Sequence, residues 1–368
     1  MRYEVNRDKH TSKACFAATH QGQLAGEEGL FWLSSERLAE GGCQPLSEPA
    51  TCINTAYGSA DEICERLAAI KPGRKKRVHI LAMGDVGATV LMGLRLLGGD
   101  CISSLGICDL NEAALRRYEC EMNQVAWPWE YERLPEVQIV GQPELFDCDV
   151  FVFCASKAVP PVGSEGVDVR MVQLSENRKI VASFAAQAAS KGFCGTFAVV
   201  SDPVDPLCRA AWLAGEGRLW PEQIQGFGLG VMNARAAYFA KRDPRFASFL
   251  SEGRAFGPHG ADLVIANSIE RYDDALSREL TQLAVEANLQ VRELGFKPYI
   301  APALSSAAIS LVLMMEGKWH YSSNFLGGVF MGSKNRTTAL GLEIEPLPLP
   351  EALYRRIENA YNNLKRIG

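Results

Sequence analysis

Short apolar runs alternate with helical patterns along much of the chain, beginning near Arg77. The runs hold four to six residues each, which is typical of strands buried on both faces of a sheet. They are Val78–Ala82, Leu105–Cys108, Asp149–Cys154 and Phe197–Val200. Apolar residues recur with helical spacing over 86–97 and over about 172–190. This alternation predicts an α/β fold with a doubly wound parallel sheet.

The two ends of the chain have a different pattern of apolar residues and glycines. The first seventy residues hold only scattered apolar runs and close with an amphipathic helix over 59–70, for which Ser59 is a suitable N-cap. Beyond Asp202–Pro206 the chain changes to longer helices with glycine-rich interruptions. We therefore expect an N-terminal extension of unknown role over 1–73, a sheet domain over 74–205 and a second domain over 206–368.

Composition excludes several classes of protein. The 368 residues are 47% hydrophobic and 22% charged, which is ordinary for a globular protein. With 38 basic and 43 acidic residues the net charge is −5, so we expect no nucleic-acid partner. The single dense basic run, 74–77, is expected to be a solvated linker.

The cysteines and the apolar stretches bear on location. The eleven cysteines have no C-x-x-C spacing, so neither a metal site nor a redox dithiol is predicted. The first residues lack the apolar core of a signal peptide. The longest apolar stretch, 300–315, is interrupted by proline and serine and is too short to span a bilayer. We expect a cytoplasmic protein that has no membrane partner.

A glycine-containing turn follows the first strand of the predicted sheet. It reads Ala82-Met83-Gly84-Asp85-Val86-Gly87, a variant of the G-x-G-x-x-G fingerprint with alanine at the first position. Asp109 ends the next strand, 25 residues after Gly84, where a carboxylate binds the adenosine ribose and repels a 2′-phosphate. The pattern predicts a Rossmann domain that binds NAD rather than NADP. The alternative is a nucleotide-free domain in which Asp109 caps a helix.

Fragments in the second half of the chain add a more specific signal. They are Ser201-Asp202-Pro203-Val204-Asp205 after a strand, Gly226-Phe227-Gly228, Asn233-Ala234-Arg235 and Gly257-Pro258-His259-Gly260. In this order, and together with the Gly84 loop, they resemble the L-lactate/malate dehydrogenase family over about 77–368. The resemblance implies an NAD-binding Rossmann domain followed by an α+β substrate domain, and it leaves the extension unexplained.

The resemblance also implies roles for individual residues. His259 would be the acid/base, a task that suits a group titrating near neutrality. Arg235 would clamp the substrate carboxylate with a planar fork, and Arg170, seven residues before Asn177, would polarise the carbonyl. Cys154 and Ala155, at the end of a strand, are assigned to the cofactor site with Gly84, Asp85, Val86, Gly87 and Asp109. His79 and His320 are expected to be packed or surface residues.

Two positions depart from the family pattern. Met232 stands where an aspartate would hold the catalytic histidine, and Asp202 stands where an asparagine usually follows the strand. A thioether cannot hold an imidazole tautomer as a carboxylate does. We therefore expect either that Asp202 supplies the missing carboxylate or that the chemistry has changed.

The predicted substrate site is apolar. Besides Arg235 it is assigned Val159, in the lid segment, Met232, and Ile300, on the opposite wall. These three offer no cation, so a dicarboxylate would bury its second charge unpaired. The leading interpretation is an NAD-dependent oxidoreductase acting on a monocarboxylic 2-oxo or 2-hydroxy acid, assembled as a homodimer or homotetramer. The alternatives are a reductase of an imine or amine substrate and a non-catalytic NAD-binding regulator.

Overall fold

One large sheet forms the centre of the molecule. The computed structural model describes residues 1–157, 169–260 and 262–367, with only the backbone of 169–173. The strands are β1 Arg2–Val5, β2 Cys15–His20, β3 Pro45–Asn54, β4 Lys76–Leu81, β5 Ile102–Cys108, β6 Glu136–Ile139, β7 Val150–Phe153, β8 Thr196–Val199, β9 Ile224–Gly226, β10 Arg254–Phe256, β11 Val264–Ala266, β12 His320–Leu326, β13 Val329–Thr338 and β14 Gly341–Ile344.

Helices connect and cover these strands. They are α1 Gly22–Ala25, α2 Ser35–Leu38, α3 Ala60–Ile70, α4 Asp85–Leu97, α5 Glu112–Asn123, α6 Val169–Ser190, α7 Val204–Ala214, α8 Leu229–Ala240, α9 Phe249–Glu252, α10 Asp274–Glu293, α11 Ile309–Met315 and α12 Glu351–Ile367. A π-helical segment, Pro302–Ala308, leads directly into α11.

The first half of the sheet has the doubly wound arrangement that the sequence predicts. Its six strands are parallel and lie in the order β6-β5-β4-β7-β8-β9. Val150 and Val152 of β7 face the core beneath α4 and α11, whereas Phe151 and Phe153 face the core beneath α6 and α7. Because alternate residues of one strand enter two apolar layers, the strand sequence carries no polar face.

The second half of the sheet is mostly antiparallel and continues from the first without a break. Gly226 of β9 pairs in parallel with Val199 of β8 and antiparallel with Ser323 of β12. β13 and β14 follow β12. One sheet contains strands from both 74–205 and 206–368. The domain boundary between these ranges stays a prediction.

The N-terminal extension adds three strands to the same sheet. β2 pairs in parallel with β14 through Phe16 and Leu342, and β3 and β1 continue the order outward. Glu222, before β9, accepts the backbone N–H groups of Ala14 (3.2 Å) and Cys15 (2.7 Å). Burial raises the pKa of Glu222 to about 7, and these N–H donors oppose that shift. The extension is therefore built into the fold.

A buried ion pair lies inside the extension. Lys13 Nζ donates to Glu28, whose other carboxylate oxygen accepts the backbone N–H of Lys13 at 3.0 Å. Both side chains are almost completely buried, and the ammonium group lies 5.1 Å from the centre of the Trp32 ring. Each charge here depends on the other for its solvation.

The helix and strand predictions agree with the structure, apart from small differences at the ends. The helix expected over 59–70 is α3, with Ser59 as N-cap in a capping box with Glu62. The expectation that the basic run is a solvated linker needs one correction, because Arg74, Lys75 and Arg77 are exposed but Lys76 is not. Lys76 begins β4, is buried and donates to the carbonyl of Ala69, while Arg74 pairs with Asp149 at 2.5 Å.

Three further observations concern membrane-spanning character, the thiols and two histidines. Within 1–157, 169–260 and 262–367, no helix has the length and apolar character needed to cross a membrane. All eleven cysteines are free thiols. His79 and His320 are both buried, and burial lowers the pKa of His320 to about 4.

Replacing Lys13 by methionine should lower the free energy of unfolding by about 3–5 kcal/mol, because Glu28 would keep a buried charge without its partner. Chemical denaturation measures this difference. Lys9→Met is the matched control, since the Lys9 side chain is exposed and its ammonium group lies 5.3 Å from the centre of the Tyr57 ring. The double change Lys13→Met with Glu28→Gln should recover part of the loss. A Lys13→Met protein no less stable than the Lys9→Met protein would contradict the assignment.

Candidate active site

His259 lies in the short loop between β10 and β11. These two strands pair antiparallel, and the loop leaves β10 through Gly257, whose φ of +87° suits glycine. The N–H of Gly257 donates to the carbonyl of Gly332 in β13 at 2.9 Å. The loop is therefore anchored to the antiparallel half of the large sheet.

Asp202 approaches His259 from the parallel half. It follows β8, and its Oδ1 lies 3.4 Å from His259 Nδ1. The backbone carbonyl of Asp202 accepts a hydrogen bond from Asn177 of α6 at 2.9 Å, and Asn177 also accepts the N–H of Lys157 at 2.9 Å. Asn177 thus ties together the chain segments that follow β7 and β8.

The charge state of His259 reflects two opposing effects. Burial, and to a smaller extent Arg235, lowers the pKa of the imidazole, but Asp202 and Asp205 together outweigh them, and the net pKa lies above its ordinary value. The other ring nitrogen, Nε2, is buried and has no hydrogen-bond partner among the described residues. The ring therefore presents one nitrogen to a carboxylate, while the other keeps hydrogen-bonding capacity that no described residue uses.

Close packing at two glycines brings these segments together. A Cβ on Gly226 would overlap Val204 of α7, and a Cβ on Gly228 would lie 2.9 Å from Val204 Cγ2 and 3.1 Å from His259 Cβ. Larger residues at these positions would push α7 and the His259 loop apart.

A second carboxylate lies behind the first. Asp205, in the first turn of α7, is buried and accepts the hydroxyl of Ser323 in β12 at 2.7 Å. Burial raises the pKa of Asp205 to about 6. Neither Asp205 nor Ser323 was predicted as a site residue: Asp205 belongs to the quoted Ser201–Asp205 fragment, and Ser323 carries no sequence signal.

Arg235 is half-buried on α8, one turn after Met232. Its Nη1 lies 3.5 Å from the Met232 sulfur and 3.4 Å from the carbonyl of Ala284. Burial lowers the pKa of Arg235, and Asp202 acts in the opposite direction, so the guanidinium and the Asp202 carboxylate interact electrostatically. Met232 is buried among the apolar residues beneath α8 and α10. It does not contribute a polar group to His259.

The loop after β4 has the backbone that a nucleotide-binding turn needs. Ala82 has a φ of +74°, the left-handed conformation that favours the glycine it replaces. A Cβ on Gly87 would overlap the carbonyl oxygen of Ala82, so α4 can approach the turn only with glycine there. A Cβ on Gly84 would meet nothing within 4 Å, which leaves open space at the N-terminus of α4.

The remaining residues assigned to the cofactor border this loop. Asp109 accepts the N–H of Met83 at 2.6 Å, and Asp85 pairs with Lys297 at 3.0 Å. Cys154 is buried beside Gly87, and the carbonyl of Ala155 accepts the Ser201 hydroxyl at 3.0 Å. Val86 is half-buried in the first turn of α4. These residues lie at the carboxyl ends of β4, β5 and β7, the edge where dinucleotides bind in such sheets.

For three assigned residues the described part of the chain shows no contact with this cluster. Ile300 is 58% exposed at the start of the helical stretch that includes the π-helical segment. Val159 lies outside the described residues. Arg170 is the second residue of α6, and its side chain is likewise outside the described part of the chain.

Comparison with known proteins finds similar sequences and structures but no matching family model. No family model matches the chain. The L-lactate dehydrogenase of Corynebacterium glutamicum strain R is 27% identical over 209 residues, which span 55% of this chain and 62% of the relative. The chain thus matches less than two thirds of that relative's length.

Two solved structures resemble the chain over most of its length. A lactate dehydrogenase from a Medee basin deep-sea metagenome library has a TM-score of 0.66 at 18% identity, covering 80% of this chain and 98% of its own. The Archaeoglobus fulgidus malate dehydrogenase in complex with NADH has a TM-score of 0.65 at 16% identity, covering 79% and 98%. The chain is a distant homologue of the L-lactate dehydrogenases and has the fold of the lactate and malate dehydrogenases.

Proposed function

We propose that the protein is an NAD-dependent oxidoreductase that interconverts a monocarboxylic 2-oxo acid and its 2-hydroxy acid. The observation that carries this proposal is the environment of His259. Its Nδ1 faces the Asp202 carboxylate, and its buried Nε2 has no partner among the described residues. A histidine held in this way can give a proton to a substrate oxygen and take it back.

Asp202 would do for His259 what an aspartate at position 232 would do in the family pattern. A carboxylate beside Nδ1 keeps the proton on that nitrogen when the ring is neutral and stabilises the imidazolium when it is charged. Asp205 adds a second negative charge at longer range when it is ionised, and it raises the pKa of His259 further.

Two arginines would act on the substrate. Arg235 is half-buried and interacts with both Asp202 and His259, so its guanidinium can bind a carboxylate held beside the imidazole. Arg170 is proposed, from the sequence resemblance alone, to polarise the carbonyl as it becomes an alkoxide.

The residues at the edge of the parallel sheet fit a dinucleotide. Open space at Gly84 and the N-terminus of α4 would receive the pyrophosphate, and Asp109 would bind the adenosine ribose. When bound, the nicotinamide supplies or accepts the hydride. The NADH complex of the Archaeoglobus fulgidus structure, with the same fold, supports this assignment.

An apolar substrate side chain suits the residues near Arg235. Met232 is apolar, and the assignments of Val159 and Ile300 to the substrate wall add no cation. The proposed substrate therefore has a small or apolar side chain. Assembly as a homodimer or homotetramer and a cytoplasmic location stay predictions, and a non-catalytic NAD-binding regulator is the alternative if no substrate turns over.

NADH should bind at least about tenfold more tightly than NADPH, because the Asp109 carboxylate would repel the 2′-phosphate. Fluorescence titration of both dinucleotides measures the ratio. Asp109→Asn is a matched variant, because asparagine can still accept the N–H of Met83 but carries no charge. Asp109→Asn should bring the affinities for NADH and NADPH closer together. Equal affinities in the unaltered protein would remove Asp109 from the ribose site.

Asp202→Asn should lower the pKa of His259, because burial and Arg235 would then act without the opposing carboxylate. Reduction of a 2-oxo acid needs protonated His259 and is lost as pH rises through its pKa. The limb of kcat/KM against pH should therefore move to lower pH in the variant.

The double change Asp202→Asn with Met232→Asp should move this limb back towards its original position. Asp61→Asn alters an exposed carboxylate in the N-terminal extension. It serves as the control and should leave the limb in place. A limb that does not move in Asp202→Asn would show that Asp202 has no influence on the acid/base group.

A panel of 2-oxo acids with NADH tests the substrate class. Pyruvate or a larger apolar 2-oxo acid should have a kcat/KM at least about 100-fold above that of oxaloacetate, since a second carboxylate would be buried unpaired. Arg235→Lys should lower kcat/KM for every monocarboxylic substrate because the planar fork is lost. A preference for oxaloacetate would contradict an apolar site, and NADH binding without turnover would favour the regulator.

A further inference from the structure

A lysine from the second half of the chain reaches the turn that is proposed to bind the dinucleotide. Lys297 Nζ lies 3.0 Å from Asp85 Oδ2, although 212 residues separate the two in sequence. Asp85 is the first residue of α4 and directly follows Gly84. The ammonium group is therefore held beside the helix terminus at which the open space around Gly84 would receive a pyrophosphate.

Helix packing brings Lys297 to this place. Helical structure begins at Ile300 and continues through the π-helical segment into α11. A Cβ on Gly93 of α4 would lie 2.5 Å from Ala308 Cβ, so this helical stretch and α4 pack closely. Because Lys297 meets Asp85 and Ala308 meets Gly93, the two helices run in the same direction. The positive ends of both helix dipoles therefore lie near the ammonium group of Lys297.

The ammonium group keeps binding capacity while it is paired. An ammonium group has three N–H donors. Within the part of the chain that the structure describes, Lys297 Nζ donates to Asp85 alone, and the lysine side chain is 81% exposed. Water screens an ion pair this exposed, so the pair contributes little to stability. Lys297 can therefore bind a further anion without leaving Asp85.

An anion at this turn needs a cation that the turn itself lacks. Residues 82–87 include no basic side chain, and their one charged residue is Asp85. A carboxylate in the first turn of a helix is favoured by the helix dipole, but it repels a phosphate that approaches the same terminus. Lys297 both offsets this carboxylate and offers donors to the incoming phosphate.

We propose that Lys297 binds the pyrophosphate of the dinucleotide, while Asp85 holds the ammonium group at the N-terminus of α4. The proposal rests on the proposed function, because it uses the same cofactor site. It adds a cofactor-binding residue from the segment between α10 and the π-helical segment, and it makes Asp85 a positioning residue that acts through Lys297.

Fragments of the dinucleotide test the contact with phosphate. ADP-ribose carries both phosphates and adenosine carries none, and calorimetry measures the binding of each. Lys297→Met should weaken ADP-ribose binding at least about tenfold and leave adenosine binding unchanged, because only ADP-ribose is charged. Lys297→Arg keeps the charge and should retain most of the affinity for ADP-ribose.

Lys191→Met is the matched control. Lys191 is exposed and lies between α6 and β8, at the amino edge of the parallel strands and opposite the proposed cofactor site. This change should leave ADP-ribose binding in place. Equal affinities for ADP-ribose in the Lys297→Met and Lys191→Met proteins would overturn the proposal.

A second background separates contact with phosphate from mere neutralisation of Asp85. If Lys297 only neutralised Asp85, Lys297→Met would have no effect once Asp85 is replaced by asparagine. If Lys297 binds the pyrophosphate, Lys297→Met should still weaken ADP-ribose binding at least about fivefold in the Asp85→Asn protein. An effect that disappears in the Asp85→Asn protein would overturn the proposal.

Binding and turnover together separate this proposal from the proposed function. Binding of NADH and ADP-ribose that Lys297→Met leaves unchanged keeps the proposed function in place and overturns this inference. Binding of ADP-ribose that depends on Lys297, in a protein that reduces no 2-oxo acid, supports the inference and overturns the proposed reaction. No binding of NADH or ADP-ribose by the unaltered protein overturns both.

Discussion

The close contact of α7 with β9 at Gly226 is the constraint on which the rest of the site depends. Gly226 pairs with the last parallel strand on one side and with the first antiparallel strand on the other. Only glycine leaves room there for Val204, so α7 can begin directly over the junction of the two halves. As a result Asp202 and Asp205 come from the parallel half of the sheet, Ser323 comes from the antiparallel half, and the His259 loop comes from the separate β10–β11 pair. Protein interiors are close-packed, so this contact positions charges that are distant in sequence.

The molecule uses buried charge in two different ways. Lys13 and Glu28 are sealed from water and solvate each other within the extension. Asp202 and His259 are only partly enclosed, and the Nε2 of the ring has no described partner. In the first pair each charged group faces its partner, whereas in the second the imidazole keeps a nitrogen without a described partner. A site that must bind and release a charged molecule needs that remaining capacity.

The sequence predicted what is encoded locally. The apolar runs of β4, β5, β7 and β8 and the glycine turn before α4 have signals within about ten residues, and the structure has them where they were expected. The proximity of Asp202 to His259 was anticipated only through the resemblance, because 57 residues separate them. The family resemblance did not indicate the Asp205–Ser323 hydrogen bond. It joins the start of a helix to a strand 118 residues away, and serine in a strand is not a distinctive signal.

The pairing of the extension with the sheet was not predicted, because it too joins segments that are distant in sequence. This pairing also changes which strand forms the edge of the sheet. β2 has an ordinary short apolar sequence, and its partner β14 lies more than 300 residues later in the chain. Without β2, β14 would be an exposed edge with unpaired backbone groups, which is a liability for association. The extension transfers the edge to β1, a strand of four residues that carries Arg2 and Glu4. Short strands with charged side chains discourage further pairing. The extension thereby closes the antiparallel half of the sheet on the side away from the candidate active site, and Glu222 ties it to the segment that leads into β9 and Gly226.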